Sequence, residues 1–514
     1  MSDVIIVGAG FSGIGAAIKL SEIGMDDFLV VEEGEDVGGT WHWNRYPGIA
    51  VDIPSFSYQY SFERRPDWSR VYANGGELRR YAHDVVEKHE LRPKIRFNTQ
   101  ITGAAFDEAS HVWRLQTATG EELESRYVIV ATGVLTKPKK PEIPGVDDFA
   151  GTTLHTARWD HSVDLRGKRV AVIGTGASAV QLIPTLAPDV GHMTVFQRTP
   201  IWCLPKIDPE MPGPVQKILE HVPGGQQVLG ALSQTFVEFT FPLALHYPQF
   251  VPTSWLGEKI GRKHLADQVK DPETRAKLTP QYSLGCKRPG FHNTYLKTFN
   301  RENVALETTP IERFTATGVV TTDGTEHPID VLVLATGFKV FEAGNIPAFD
   351  TRGVGGKELG AYWRENRFQS YQGVSVPDFP NLFTIFGPYA YNGASYFTLI
   401  ENQMRHITRC LKAARARGAT AVEVTRAAHD RYFQSMLGRR HRQILTRGNC
   451  ASANSYYFDD RGDSPFRASP TLEARWRSSR FALDDYRFSS VPVEREVHVV
   501  LGGAGPGAAP TPAG

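Results

Sequence analysis

Two short glycine patterns carry the first chemistry in this chain, Gly8-Ala9-Gly10-Phe11-Ser12-Gly13 and Gly174-Thr175-Gly176-Ala177-Ser178-Ala179. Glycines at that spacing let a turn of backbone approach a pyrophosphate, and the helix that follows points its first N–H groups at the phosphate charge. Alanine at the last position of the second pattern is allowed by the same fingerprint. The two units differ at the end of the next strand. In the first it is Glu32, about 20 residues beyond Gly13, a carboxylate that can accept hydrogen bonds from both ribose hydroxyls. In the second it is Arg198, with Thr199 beside it, a guanidinium suited to the 2′-phosphate of NADPH. One acid and one arginine point to two different dinucleotides, FAD first and NADPH second.

Each pattern needs a strand before it and a helix after it, and the sequence supplies both. Val4 to Val7 is a short apolar strand, Ile14 to Ile23 is helix-like, and Phe28 to Val31 is the next strand. Arg169 to Ile173 and Met193 to Phe196 repeat the arrangement around the second turn. Between the units, Gly38 to Asp52 is too rich in Gly, Pro and aromatics for a regular element; its indoles, Trp41 and Trp43, offer flat surfaces that can cover a ring system or pack in a core. Asp52 ends that loop as a carboxylate in apolar company. Ile95 to Val130 alternates as an antiparallel insertion would and closes on Ala131-Thr132-Gly133. Asp330 to Phe338 repeats that strand and its Ala-Thr-Gly exit.

The division expected is 1–145 for the first part of an FAD domain, 146–207 for a linker and the first part of an NADPH domain, and 208–280 for a mainly helical insertion. Residues 281–345 then complete the NADPH domain, 346–490 complete the FAD domain, and 491–514 form a Gly/Ala/Pro-rich disordered tail. The fold class is α/β, with two Rossmann-like domains and a helical insertion that walls a substrate cavity or is an ordinary subdomain.

At 514 residues the chain is long enough for two or three domains. Lys+Arg 57 against Asp+Glu 56 leaves no global field for nucleic acid. Cys203, Cys286, Cys410 and Cys450 lie far apart, which argues against a disulfide framework, a redox dithiol or a metal site and for four reduced thiols in a cytoplasmic protein. Met1 passes straight into an apolar strand without a basic n-region, so no secretory signal is expected. No run reaches the ~18 apolar residues of a transmembrane segment, the nearest, Phe236 to Leu245, being broken by Glu238 and Pro242.

The stretch between the two units carries a resemblance. Phe149-x-Gly151-x-x-x-His155-x-x-x-Trp159-Asp160 resembles the fingerprint of type I Baeyer-Villiger monooxygenases, flavoenzymes of class B that insert oxygen beside a ketone carbonyl. Gly38-Gly39-x-Trp41 through Tyr46-Pro47-Gly48 to Asp52 resembles the second signature of that family, and Lys287-Arg288-Pro289 its catalytic turn. The similarity runs from Met1 to about Phe488. Two places depart from it: Tyr389 follows the Gly387-Pro388 pair, and the segment Cys450 to Tyr457 is longer than the short form common in relatives.

The resemblance implies an NADPH- and O2-dependent enzyme that turns a small apolar ketone into an ester or lactone through a C4a-peroxyflavin. Arg288 would stabilise the anionic oxygen species, oriented by Asp52. FAD would lie on Gly8, Gly10, Phe11, Ser12, Gly13 and Glu32, on Gly39, Thr40, Trp41 and Trp43 of the loop, and on Asp52, Tyr58 and Ile101. NADPH would lie on Gly174 to Ala179, Arg198, Thr199, Lys287 and Arg288. His155 and Trp159 would couple domain movement to catalysis. Two alternatives stand beside this: an N- or S-oxygenating flavin monooxygenase, whose fingerprint replaces the tryptophan, and a non-catalytic or NADPH-oxidase-like flavoprotein. A flavin disulfide reductase lacks its dithiol here.

Overall fold

In the computed structural model, which describes residues 1–250, 253–342 and 344–491, the chain builds two sheets in turn and then returns to the first. The expected tail lies, except for Val491, outside the described residues. The first sheet receives β1 (Ser2–Val7), β2 (Phe28–Val31), β3 (Ile95–Arg96), β4 (Ile101–Asp107), β5 (Val112–Thr117) and β6 (Glu122–Val130). Helix α1 (Phe11–Ser21) joins β1 to β2, and a single turn, α2 (Thr40–Trp43), opens the aromatic loop. The second sheet receives β7 (Thr152–His155), β8 (Arg169–Ile173) and β9 (His192–Phe196), with α3 (Ala177–Leu186) joining β8 to β9.

Three helices follow, α4 (Gly213–His221), α5 (Gly225–Glu238) and α6 (Thr253–Gln268). The chain then adds β10 (Val304–Glu307) and β11 (Val331–Leu334) to the second sheet, and β12 (Asp350–Arg352) and β13 (Leu382–Thr384) to the first. Helices α7 (Tyr396–Ala416) and α8 (Thr471–Arg480) close the fold.

Strand order in the second sheet is β10-β9-β8-β11-β7, all parallel. Its central strands are apolar on both faces, Val170 to Ile173 and Val331 to Leu334 being buried throughout, as a parallel sheet covered on both sides requires. The first sheet runs β12-β4-β5-β6-β1-β2-β3, with β13 also against β6; β1, β2 and β6 are mutually parallel and β4 to β6 form the antiparallel part. Two glycine turns therefore sit at the carboxyl ends of parallel strands, where ligands of open α/β sheets bind.

The two sheets are joined by a pair of linkers that run side by side. Lys139 N donates to Gly337 O at 2.8 Å and Lys339 N to Lys137 O at 3.0 Å, so each strand's Ala-Thr-Gly exit continues into the same two-stranded crossing.

The absence of an uninterrupted apolar run stands, since Gln226, Gln227, Gln234 and Glu238 lie within the stretch, but the break expected at Glu238 and Pro242 is not seen. Helix continues through both Glu238 and Pro242, giving a continuous 22-residue stretch, Gly225–His246, that by length and composition is long and apolar enough to cross a membrane. Glu238 is tolerated because its Oε1 accepts from Thr471 N at 2.9 Å. Pro242 is tolerated because the backbone widens into a π-helical turn, Phe239–Leu243, which absorbs the lost N–H.

Candidate active site

The two turns are built alike. Gly8 has φ +107°, and a methyl there would stand 2.8 Å from Ala131 O; Gly174 has φ +106°, and a methyl there would stand 2.6 Å from Ala335 O. In both cases the turn must lie flat against the exit of a neighbouring strand, which only glycine permits. Gly10 faces Gly39 across the first turn, where a methyl on Gly39 would come within 2.9 Å of Gly10 Cα. Helices α1 and α3 carry no side-chain cap at their N-termini, so their first N–H groups remain free for an anion. That open backbone cradle fits a bound dinucleotide in each half.

At the first strand end, Glu32 is buried and its two oxygens accept from Ala9 N at 2.7 Å and Gly34 N at 2.8 Å. Burial pushes its carboxyl above the usual range, against the pull of those two N–H groups. Each carboxylate oxygen can accept a second hydrogen bond, so the pair retains acceptor capacity for ribose hydroxyls. At the second strand end, Arg198 is exposed, and Thr199 O accepts from Thr175 Oγ1 at 2.9 Å, tying that strand end to its glycine turn. Lys287 stands close enough to Arg198 to feel its charge, and burial together with that charge brings its ammonium down to about 8.

Between the two halves stands Arg288. Its Nη2 donates to Asp52 Oδ1 at 2.5 Å and its Nε donates to Asp52 Oδ2, a two-pronged pair that fixes the plane of the guanidinium. Burial works against its charge, but Asp52 outweighs that and holds the arginine well above its ordinary value, so it is cationic at every relevant pH. Its remaining Nη1 points to Tyr391 Oη at 3.3 Å, and the ring of Phe241, from the π-helical turn, lies 5.3 Å from its Cζ. The turn itself is pinned from both sides: Gly290 N donates to Trp202 O at 2.8 Å and Cys286 N to Ser283 O at 3.1 Å.

Cys286 and Cys450 form a disulfide, with Cα atoms 5.1 Å apart, which overturns the expectation of four reduced thiols. Cys203 and Cys410 are free and buried. The pair is 164 residues apart in sequence, so spacing gave no sign of it; the return of the chain over the second half brings it together. Its effect is to tie the arginine turn to the lengthened segment that begins at Cys450. Asn454 Nδ2, from that segment, donates to Thr199 Oγ1 at 2.6 Å, so the segment bridges the Arg288 turn and the Arg198 strand end.

Other expected residues divide. Trp41 Nε1 donates to Tyr58 Oη at 3.3 Å, and Trp43 lies under Arg158, whose Cζ is 4.0 Å from the indole centroid. Thr40, through Thr40 O, accepts from Asn44 Nδ2 at 2.9 Å and so closes the aromatic turn. The Phe11 ring packs into the core against Phe397 at 4.7 Å, leaving only its backbone for a cofactor. Ser12 Oγ is bonded to Tyr396 Oη at 2.9 Å, and Ile101 is buried in the core of the first half. His155 accepts at Nδ1 from Ala157 N at 3.0 Å, which leaves Nε2 as the donor to Thr336 Oγ1 at 3.2 Å. Burial lowers its pKa, so the ring is neutral and structurally satisfied. Trp159 packs half-buried against the core of the second half.

Sequence reasoning missed four residues here. Tyr391 and Phe241 reach Arg288 from segments without a motif, and Tyr396 reaches Ser12 from the start of α7. Gln181, on α3, accepts from Tyr46 Oη at 2.9 Å and donates to Ala50 O at 2.8 Å, docking the second nucleotide unit onto the loop that ends at Asp52. A buried-facing glutamine on a nucleotide-binding helix was the available signal.

A family model described as pyridine nucleotide-disulphide oxidoreductase matches residues 5–217. The chain is 34% identical over 491 residues to a Baeyer-Villiger monooxygenase of Streptomyces coelicolor, with 94% of this chain and 92% of the relative covered. It is 35% identical over 470 residues to the phenazine N-monooxygenase PhzNO1 of Lysobacter antibioticus, with 83% and 85% covered. Among solved structures, OTEMO in complex with FAD and NADP matches with a TM-score of 0.85 at 29% identity, covering 95% of this chain and 99% of that one.

Proposed function

Because the chain belongs to the type I Baeyer-Villiger monooxygenases, we propose that Arg288 and Asp52 form the pair on which its oxygen insertion depends. The enzyme uses FAD, NADPH and O2 to place one oxygen atom beside a ketone carbonyl, giving an ester or lactone. FAD and NADPH, when bound, supply the reducing equivalents and the activation of O2. The protein supplies position, charge and dryness.

In our reading the first half, 1–145 with 346–490, holds FAD through the Gly8–Gly13 turn, Glu32 and the loop of Gly39, Thr40, Trp41, Trp43 and Tyr58. The second half, 146–207 with 281–345, holds NADPH through Gly174 to Ala179, with Arg198, Thr199 and Lys287 at the 2′-phosphate. Arg288 stabilises negative charge as it develops on the substrate carbonyl oxygen; one such preorganised donor is typically worth about 3 to 4 kcal/mol. Asp52 keeps the guanidinium planar to the site, and Tyr391 holds its third corner. Phe241 and the turn that carries it give the surroundings of Arg288 an apolar side, which suits an apolar ketone. A reaction that consumes NADPH fits the cytoplasm.

The observation that carries this is the two-pronged Asp52–Arg288 pair standing between two uncapped glycine turns. The test is turnover of the FAD-loaded enzyme with NADPH and labelled O2 on a mixed panel of ketones and aromatic N-heterocycles. One labelled oxygen in an ester is the expected product. Label confined to N-oxides would move the reading to heteroatom oxygenation, which the similarity to a phenazine N-monooxygenase keeps as the second reading.

A further inference from the structure

From Val222 to Gly257 the chain contains no lysine or arginine and a single carboxylate, Glu238, which is turned inward onto Thr471 N. A helix whose outer face meets water ordinarily carries charge there. The outer face of α5 instead presents Val228, Leu232 and Phe236, continued by Phe239, and the adjoining α8 presents Leu472 and Trp476; these six side chains are between 49% and 75% exposed. The two helices touch where Thr471 N bonds Glu238, which places Leu472 and Trp476 on the helix that adjoins the end of α5.

The inner face of α5 is fastened to the protein. Ser233 Oγ donates to Ser57 Oγ at 3.0 Å, and Arg64 Nη1 donates to Gln226 O at 2.8 Å. The helix therefore lies flat, and its apolar side can be covered only by something that approaches from outside. The rim is cationic: Lys217 on α4 and Arg475 and Arg480 on α8 are exposed, while Glu473 beside them is taken up by Arg439 and Arg477. Glu220, exposed on α4, is the rim's counter-charge and stands beside His221. Pairing this face with itself about a two-fold axis would set like-charged rims together, whereas an anionic lipid surface attracts them.

We propose that this face docks onto an anionic lipid bilayer, with α5 lying in the headgroup region and its apolar side chains in the acyl boundary. The same helix leads to the reaction centre. Phe239 sits on the exposed face, and Phe241, two residues on in the same π-helical turn, lies against Arg288. Docking thus brings the turn that reaches Arg288 to the layer in which an apolar ketone accumulates, a step that rests on the ketone-oxidising reading given above.

The test is co-sedimentation of the FAD-loaded enzyme with phosphatidylcholine vesicles made with and without phosphatidylglycerol. Binding is expected to the anionic vesicles, and the double variant Leu232→Glu/Phe236→Glu should bind at least about tenfold more weakly, with its flavin content and its reduction by NADPH unchanged. Trp476→Ala, a milder change at the other edge, should give a smaller loss. Absence of wild-type binding overturns the proposal, as does a dimer, seen by light scattering, that the double variant dissociates while vesicles are ignored. A long-chain ketone supplied in the vesicles should be oxidised more slowly by the double variant, and a short water-soluble ketone at the same rate. Vesicle binding with no ester from any ketone would sink the ketone reading and leave the docking supported.

Discussion

The first nucleotide unit is closed in and the second is open, although their turns are nearly superimposable in backbone conformation, with Gly8 and Gly174 both near φ +107° and +106°. Helix α1 is buried along almost its whole length, against α7 and a cluster of rings that includes Phe11, Tyr60 and Phe397. The start of α3 is not: Ala177 is exposed and Ser178 half-exposed. Glu32 is buried and locked by two N–H groups, while Arg198 is exposed. On the proposed assignment, the closed half suits a cofactor that stays and the open half one that comes and goes. In the reading proposed above, the side chain at the strand end, Glu32 or Arg198, selects the dinucleotide, and the packing around the turn governs how long it remains.

Breaking the closed half should act on the retention of FAD itself. In Gly13→Ala the new methyl overlaps the Gly8 carbonyl, so the turn must open, and FAD affinity should fall by at least about tenfold. The check is visible flavin absorbance of the purified protein and its recovery on titration with FAD. Undiminished flavin content would mean that the first turn does not hold the pyrophosphate. Next, Arg198→Ala should raise the dissociation constant of NADPH by about 10- to 100-fold, the loss expected for hydrogen bonds to a charged group, and leave NADH within twofold. Stopped-flow reduction with each nucleotide measures both, and equal losses would place the 2′-phosphate elsewhere.

The smallest effect is a pH dependence. Lys287 is lowered to about 8, so its ammonium is present below that pH and lost above it. NADPH binding should therefore weaken several-fold as pH rises through about 8, with NADH much less affected. Lys287→Arg, which stays charged, should flatten the profile; an unchanged slope in that variant would remove Lys287 from the phosphate site.

What was legible in the sequence was what local spacing can encode. The two glycine turns, the strands feeding them, and the contrast of Glu32 with Arg198 all depend on residues within one βαβ unit, where order along the chain fixes position in space. The Asp52–Arg288 pair spans the two halves and was reached through resemblance, not spacing. The partners that surround it were not legible: Tyr391, Phe241 and the Cys286–Cys450 disulfide meet only because separate segments converge on one point. The apolar helix was misread for a different reason. Glu238 and Pro242 interrupt an apolar run on paper, but a backbone N–H from α8 bonds one oxygen of the acid and a π-helical turn absorbs the proline, so neither ends the helix.

The central claim is that Arg288, held by Asp52 between the two halves, serves oxygen transfer and not flavin reduction. It is tested most directly by Arg288→Ala, following in one experiment the rate of flavin reduction by NADPH and the yield of labelled ester from a ketone under labelled O2. The account predicts that FAD stays bound, that reduction by NADPH persists, and that ester yield falls by about 100-fold or more. An ester yield equal to that of the unaltered enzyme would contradict it.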